Sequence, residues 1–227
     1  MGDTPTPPPA SQAQISLSET MEKGDKIHFI GIGGIGLSAI AKVLLEEGYR
    51  VSGSDLKLSP ITDALAELGA TIYEGHRPEN VDEAQLVIVS SAIPPDNPEV
   101  LEARRRGIPV VKRDWVLGEM TRDRYTIAVA GSHGKTTIAA MLALILAEAH
   151  LDPSFIVGGI LRNLGTNARA GRGRHFVVEA DEYDRTFLGL RPQIAVVTNI
   201  EMDHPDCYPT VEDMVEAFRE FVSSVPE

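Results

Sequence analysis

The chain has 227 residues, 43% of them apolar and 24% charged, and a formal net charge of −12. That length accommodates two ordinary domains, or one and part of a second, with enough aliphatic side chains to bury a core. The acidic balance argues against nucleic acid or an anionic membrane as partner, since both need clustered Lys and Arg to displace counterions, and the single cysteine, Cys207, rules out an internal disulfide and suits a reducing cytosol.

No run approaches the ~20 apolar residues of a membrane span, and the N-terminus lacks a basic, apolar export signal, so a cytoplasmic location is expected. Residues 1–24 are rich in Pro, Thr, Ser and Gln and read as a flexible tail that cannot bury enough apolar surface to offset its ordering entropy. An apolar strand at Ile27–Ile30 follows. It runs into Gly31-Ile-Gly-Gly-Ile-Gly36 and a helix from Ile35 to about Glu47. A G-x-G-x-x-G turn between strand and helix lets a pyrophosphate approach the backbone, and Asp55, about 20 residues on at the end of the next strand (Arg50–Gly53), is placed to bond a ribose hydroxyl. Any diphosphate nucleotide suits that turn, NAD and a UDP-sugar alike.

A helix at Ile61–Leu68, short strands at Thr71–Tyr73, Leu86–Ser90 and Pro109–Val111, and a helix near Pro98–Arg106 complete the first unit. Short apolar strands alternating with helices predict a parallel sheet covered on both faces. Polar residues between Gly118 and Arg124 mark the expected boundary, giving a unit over 25–121 and a second over 122–227.

The second unit opens on the most informative stretch, Thr126-Ile-Ala-Val-Ala-Gly-Ser-His-Gly-Lys-Thr-Thr137. An apolar strand enters a glycine turn that delivers Lys135 and Thr136 to the start of a helix. Backbone N–H groups around Gly131, Ser132, His133 and Gly134 can face phosphate oxygens, Lys135 reaches the outer phosphates, and the Thr136 hydroxyl can ligate Mg²⁺. The pattern is shorter than the general phosphate loop, with Val129 at the first glycine position. The helix that follows, Ile138–Ala147, is apolar all round and is expected to be buried.

Strands at His175–Val178 and Ile194–Thr198 each release an acidic stretch, Glu179-Ala-Asp-Glu-Tyr-Asp184 and Asn199-Ile-Glu-Met-Asp-His-Pro-Asp206, and a last helix runs over Val211–Val222. Both stretches should emerge at the carboxyl edge of the sheet beside the phosphate loop, where their hard oxygens suit Mg²⁺ and a neutral histidine can complete a second metal's shell. With one cysteine and no paired-histidine spacing, zinc does not fit. The fold class expected is α/β: a Rossmann-like parallel-sheet domain followed by part of a P-loop α/β ATP-binding domain.

Taken together, His28-Phe-Ile-Gly-Ile-Gly-Gly-Ile-Gly36, Ser52-Gly-Ser-Asp55, His76-Arg-Pro78, Ser90-Ser-Ala-Ile93, Ala130-Gly-Ser-His-Gly-Lys-Thr-Thr137, Glu179-Ala-Asp-Glu182 and Thr198-Asn-Ile-Glu-x-Asp-His204 resemble the Mur ligases over residues 26–225. The type that adds L-alanine to UDP-N-acetylmuramate is the nearest match. The resemblance implies that the first domain holds the UDP-sugar and the second binds ATP and Mg²⁺. Gly33, Gly34, Ile35 and Gly36 would line the diphosphate, with Asp55, His76 and Ser91 near the uridine or sugar. Lys135 would contact the β- and γ-phosphates, with Thr137 in the same loop; Thr136 and Glu179 would hold Mg²⁺, His204 would share a second Mg²⁺ with Glu179, and Asn199 would lie near the nucleotide.

Two departures accompany the match. Sister ligases hold the second metal with a carbamylated lysine, yet no lysine follows Lys135, so Glu201, Asp203 or water is the candidate for that place. The family's third domain, which carries the incoming amino acid, has no counterpart in these 227 residues, so the chain alone is expected to be inactive. A murein-peptide ligase on the same sugar nucleotide, towards which Tyr183 leans, and a non-catalytic UDP-sugar- or ATP-binding module are the alternatives.

Overall fold

A computed structural model describes residues 21–226, the side chain of Asp184 excepted. The tail expected over 1–24 lies outside the described residues as far as residue 20. From Met21 the chain is packed, with Met21 buried and the Gly24 N–H donating to the Gly48 carbonyl at 3.0 Å.

The first sheet is built from β1 (Lys26–Ile30), β2 (Arg50–Asp55), β3 (Thr71–Glu74), β4 (Ala84–Val89) and β5 (Val110–Lys112). All four pairings are parallel and the spatial order is β3-β2-β1-β4-β5. The connections after β1, β2 and β4 carry helices α1 (Ile35–Glu46), α2 (Pro60–Glu67) and α3 (Pro98–Arg105). The chain winds outward from β1 to β3 and then restarts at β4 on the other side. The crevice between β1 and β4 is therefore a topological switch point, and the Gly31–Gly36 turn sits at its carboxyl end.

A helix that was not expected, α4 (Arg113–Arg122), runs into the segment between Gly118 and Arg124 where the boundary between the units was expected. Thr121 shows how a polar residue there belongs to a helix. Its hydroxyl is buried and donates back to the Leu117 and Gly118 carbonyls, so a polar residue satisfies itself within the helix instead of marking a solvated loop.

The second sheet contains β6 (Tyr125–Ala130), β7 (Ser154–Leu161), β8 (Thr166–Arg169), β9 (His175–Glu179) and β10 (Ile194–Val197), in the order β10-β6-β9-β7-β8. Helix α5 (Lys135–Glu148) links β6 to β7, and α6 (Val211–Ser223) closes the described chain, capped by reciprocal bonds between Thr210 and Asp213. Strands β7 and β8 were not expected. The segment Ser154-Phe-Ile-Val-Gly-Gly-Ile-Leu161 carried no assignment; the strand runs through its two glycines with a register shift, and β8 returns antiparallel. The sheet is thus mixed at one edge and not wholly parallel.

The full burial expected of α5 is not observed. Ala139 and Ala143 are buried against Val129, Phe155 and Val177, while Met141 and Ile145 are 56% and 59% exposed, because no described element covers the outer face. Helix α1 is the converse case. Seven of its twelve residues are buried, since it packs on the first sheet on one side and on β7 and β8 on the other. One apolar core accordingly runs from Ile27 and Phe29 through Ile40 to Ile156, Phe176 and Phe218, across both sheets. Among the described residues no helix is long and apolar enough to cross a membrane.

Candidate functional site

At the first turn, the Gly31 and Ile32 N–H groups donate to the Ser54 carbonyl at 2.8 and 3.1 Å, which ties the loop to the end of β2. Asp55 then accepts the Gly33 N–H at 2.9 Å. A Cβ on Gly33 would stand 2.8 Å from that carboxylate, so only glycine allows the approach. No side chain caps α1 at Gly34, leaving its N-terminal dipole open to an anion, and Gly34 and Ile35 are exposed. Asp55 ends β2, and His76 and Ser91 follow β3 and β4, so the expected nucleoside contacts border this same edge. Asp55 is engaged with the turn and His76 with Ser54 and Glu99, while Ser91 is exposed.

The second turn is held between the ends of two strands, β6 and β10. Gly131–Gly134 follows β6, with Gly134 at φ +84° as the residue before α5. Ser132 donates its N–H to the Asn199 carbonyl at 3.0 Å and exchanges hydrogen bonds between its hydroxyl and the backbone of Glu201. The Asn199 Oδ1 accepts the His133 N–H at 2.9 Å, and the Thr198 hydroxyl donates to the His133 carbonyl at 2.6 Å. The end of β10 thus sets the shape of the loop, which is a role for Asn199 beside the expected nucleotide.

Lys135 donates to the Gly131 carbonyl at 2.6 Å and to Glu182 Oε1 at 2.8 Å. Its ammonium is folded back onto its own loop. Glu182 is fully buried, and its Oε2 has no hydrogen-bond partner. Tyr208 donates to the Glu182 carbonyl at 2.6 Å and fixes that segment; burial pushes the Tyr208 phenol up to about 12. Thr136 and Glu179 form the neighbouring pair, hydroxyl to carboxylate at 2.9 and 3.0 Å, and Glu179 also accepts the Gly158 N–H at 2.6 Å. The glycine in β7 is what admits that carboxylate, since a Cβ on Gly158 would lie 2.8 Å from it. Thr137, next in the loop, is exposed.

The structure groups His204 with Glu182 and Asp203: Nε2 lies 3.9 Å from Glu182 Oε1 and 3.7 Å from Asp203 Oδ2. Ligand atoms of these three residues fall within 4.8 Å of one another. Glu179, expected to hold one metal with Thr136 and to share a second with His204, is hydrogen-bonded to Thr136. Of the candidates for the missing lysine, Asp203 belongs to the cluster, and Glu201 turns towards His133 at 3.7 Å. An oxygen-rich set with one imidazole, and a buried carboxylate oxygen without a donor, fits a divalent cation.

Two residues escaped the sequence reading. Glu182 lay inside a quoted motif, but burial is what distinguishes it from Asp181. Arg113 carried no signal at all, and it joins the first turn to the acidic stretch after β9: its guanidinium lies where a Cβ on Gly36 would be, and it donates to Asp181 at 2.9 Å. Ile35 and Gly36 from the first turn, Arg113, and Lys135, Glu179 and Asp181 from the second unit line one cleft.

Two family models match the chain: Mur ligase family, catalytic domain, over residues 26–125, and Mur ligase middle domain over 129–227. The UDP-N-acetylmuramate–L-alanine ligase of Geotalea daltonii is 53% identical over 204 residues, 90% of this chain and 44% of that protein. Its namesake from Aquifex aeolicus is 54% identical over 205 residues, 90% and 45% of the two chains. Among solved structures, the UDP-N-acetylmuramate:L-alanyl-γ-D-glutamyl-meso-diaminopimelate ligase of Neisseria meningitides has a TM-score of 0.82 at 34% identity, covering 89% of this chain and 69% of that one. The UDP-N-acetylmuramate-alanine ligase MurC of Thermotoga maritima has a TM-score of 0.80 at 33% identity, covering 88% and 47%. The chain spans less than half the length of these curated relatives.

Proposed function

The chain belongs to the Mur ligase family, and from that premise we propose that it carries the sugar-nucleotide and ATP sites of a ligase joining L-alanine to the lactyl carboxylate of UDP-N-acetylmuramate. One observation carries the reading: the two glycine turns open onto a single cleft, so the reactive end of a nucleotide sugar held at Gly33–Gly36 would meet the outer phosphate of ATP held at Gly131–Thr137.

A carboxylate is a poor electrophile. Its oxygen attacks the γ-phosphorus with ADP leaving, and the amine then attacks the carbonyl carbon of the acyl phosphate, releasing inorganic phosphate and a proton. The chain's part is to position and to neutralise charge. Lys135 exchanges Glu182 for the outer phosphates, and the N-termini of α1 and α5 receive the two phosphate chains. Thr136 and Glu179 would hold one Mg²⁺, and His204 with Glu182 and Asp203 a second. A divalent cation there supplies charge neutralisation between the phosphate and carboxylate oxygens. No side-chain nucleophile is needed.

The names of the L-alanine ligases and of the Neisseria ligase share UDP-N-acetylmuramate and differ in the amine. The 53% identity to the former favours L-alanine. A free Cys207 agrees with a reducing cytoplasm.

Calorimetry tests the assignment of the first turn: UDP-N-acetylmuramate should bind the 227-residue chain and NAD should not. Gly33→Val should abolish that binding, because a branched side chain fills the space shared by the Asp55 carboxylate and the diphosphate. Tight NAD binding without a response to the UDP-sugar would sink the proposal.

A further inference from the structure

A cluster of buried polar side chains beneath the first turn takes no part in the chemistry above. Glu99, in the first turn of α3, is fully buried, as are His28, Ser52 and Ser54. Its Oε2 accepts from the Ser54 hydroxyl at 2.6 Å and lies 2.9 Å from His76 Nδ1. Its Oε1 accepts from Asn80 Nδ2 at 2.6 Å, and His28 Nε2 stands 3.5 Å away. Burial alone would raise the Glu99 carboxyl, yet the nearby His28 ring and the bonds from Ser54 and Asn80 outweigh it and hold it below the ordinary carboxylate range.

An ionised carboxylate only accepts hydrogen bonds, so the proton between it and His76 must sit on Nδ1. In the neutral ring, Nε2 is then a bare acceptor. Ser54 carries the geometry to the ligand edge: its hydroxyl meets both Glu99 and His76 Nδ1, and its carbonyl anchors the Gly31–Ile32 backbone.

We propose that Glu99 is a positioning residue, holding His76 in the Nδ1–H tautomer so that Nε2 accepts an O–H or N–H from the uridine half of the nucleotide. This rests on the reading that the first turn binds a UDP-sugar. A buried carboxylate is a costly way to fill space. An apolar side chain of similar volume would do that at least as well, whereas an acceptor-only group dictates a tautomer.

The test uses the 227-residue chain with ¹⁵N-labelled histidine, the His76 signals being assigned by their loss in His76→Ala. In the unliganded protein, Nδ1 should be protonated and Nε2 pyridine-like, and UDP should shift Nε2 more than Nδ1. By calorimetry, Glu99→Gln and His76→Ala should each weaken UDP about tenfold, the scale of one hydrogen bond. The double variant should be no weaker than His76→Ala alone, because the two residues act through one contact. A ring protonated at Nε2 in the wild-type chain, or penalties that multiply to about a hundredfold, overturn the inference. Should Glu99→Gln fail to fold, the wild-type spectrum and its response to UDP decide. A wild-type chain that binds neither UDP nor UDP-N-acetylmuramate overturns the nucleotide reading and the ligand half of this inference together, while the spectrum judges the tautomer separately.

Discussion

Glu182 places a buried negative charge against Lys135 with half of its carboxylate unsatisfied, an arrangement that a cation completes. Glu182→Gln keeps the shape and removes the charge. In thermal melts, Mg²⁺ with ADP should raise the Tm of the wild-type chain by several degrees, as expected for a ligand well above its Kd, and should leave the Glu182→Gln midpoint nearly unmoved. An equal shift in both would remove Glu182 from the metal site. His28 gives a second prediction. Burial lowers its pKa from 6.5 against the pull of Glu99, so below that pH the unfolded chain takes up a proton that the fold refuses. Stability should therefore fall as pH drops from 6.5, by up to about 1.4 kcal/mol per pH unit. Glu99, held below 4.5, extends the loss at lower pH. Urea midpoints at about pH 7.5 and 5.5 should separate more for the wild-type than for His28→Asn, and equal separations would show that His28 titrates normally. At this scale the glycine turn between β6 and α5 was legible because its glycines, Lys135 and Thr136 stand at fixed spacing between a strand and a helix. Glu182 and Arg113 were not, since burial and an approach across the fold leave no local pattern.

The order of strands and helices followed from apolar periodicity wherever one sheet face dictated it, as in β1, α1 and α6. It failed where a glycine served a neighbour. Gly158 interrupts the apolar run of β7, and it sits in the strand to let Glu179 reach its backbone N–H. Helix α5 failed in the other direction, since a uniformly apolar sequence says nothing of which face finds a partner. Its two faces should respond differently. Ala143→Leu, pushed against Val129 and Phe155, should cost about 1–3 kcal/mol by overpacking, whereas Met141→Gln should stay within about 0.5 kcal/mol. Urea denaturation of both variants checks this, and equal costs would mean that the outer face is covered in solution.

Because α1 is shared by both sheets, the described chain should melt as one unit even though two family models divide it. Ile40→Ala, a cavity in the shared layer, should cost about 2–5 kcal/mol and lower a single transition, read coincidently by calorimetry and by the fluorescence of the chain's one tryptophan, Trp115. Two separated transitions would show that the sheets fold independently. The uncovered side of α5 has a colloidal consequence at the same scale. A net charge of −12 keeps copies apart in dilute buffer, where repulsion reaches across tens of ångströms, but at ~1 M salt that reach shrinks to ~3 Å. Met141 and Ile145 then become sticky patches that charge no longer guards. Light scattering should report particles growing with sodium chloride, and Met141→Gln with Ile145→Gln should suppress that growth, so the ionic strength of the storage buffer decides how long this protein stays dispersed.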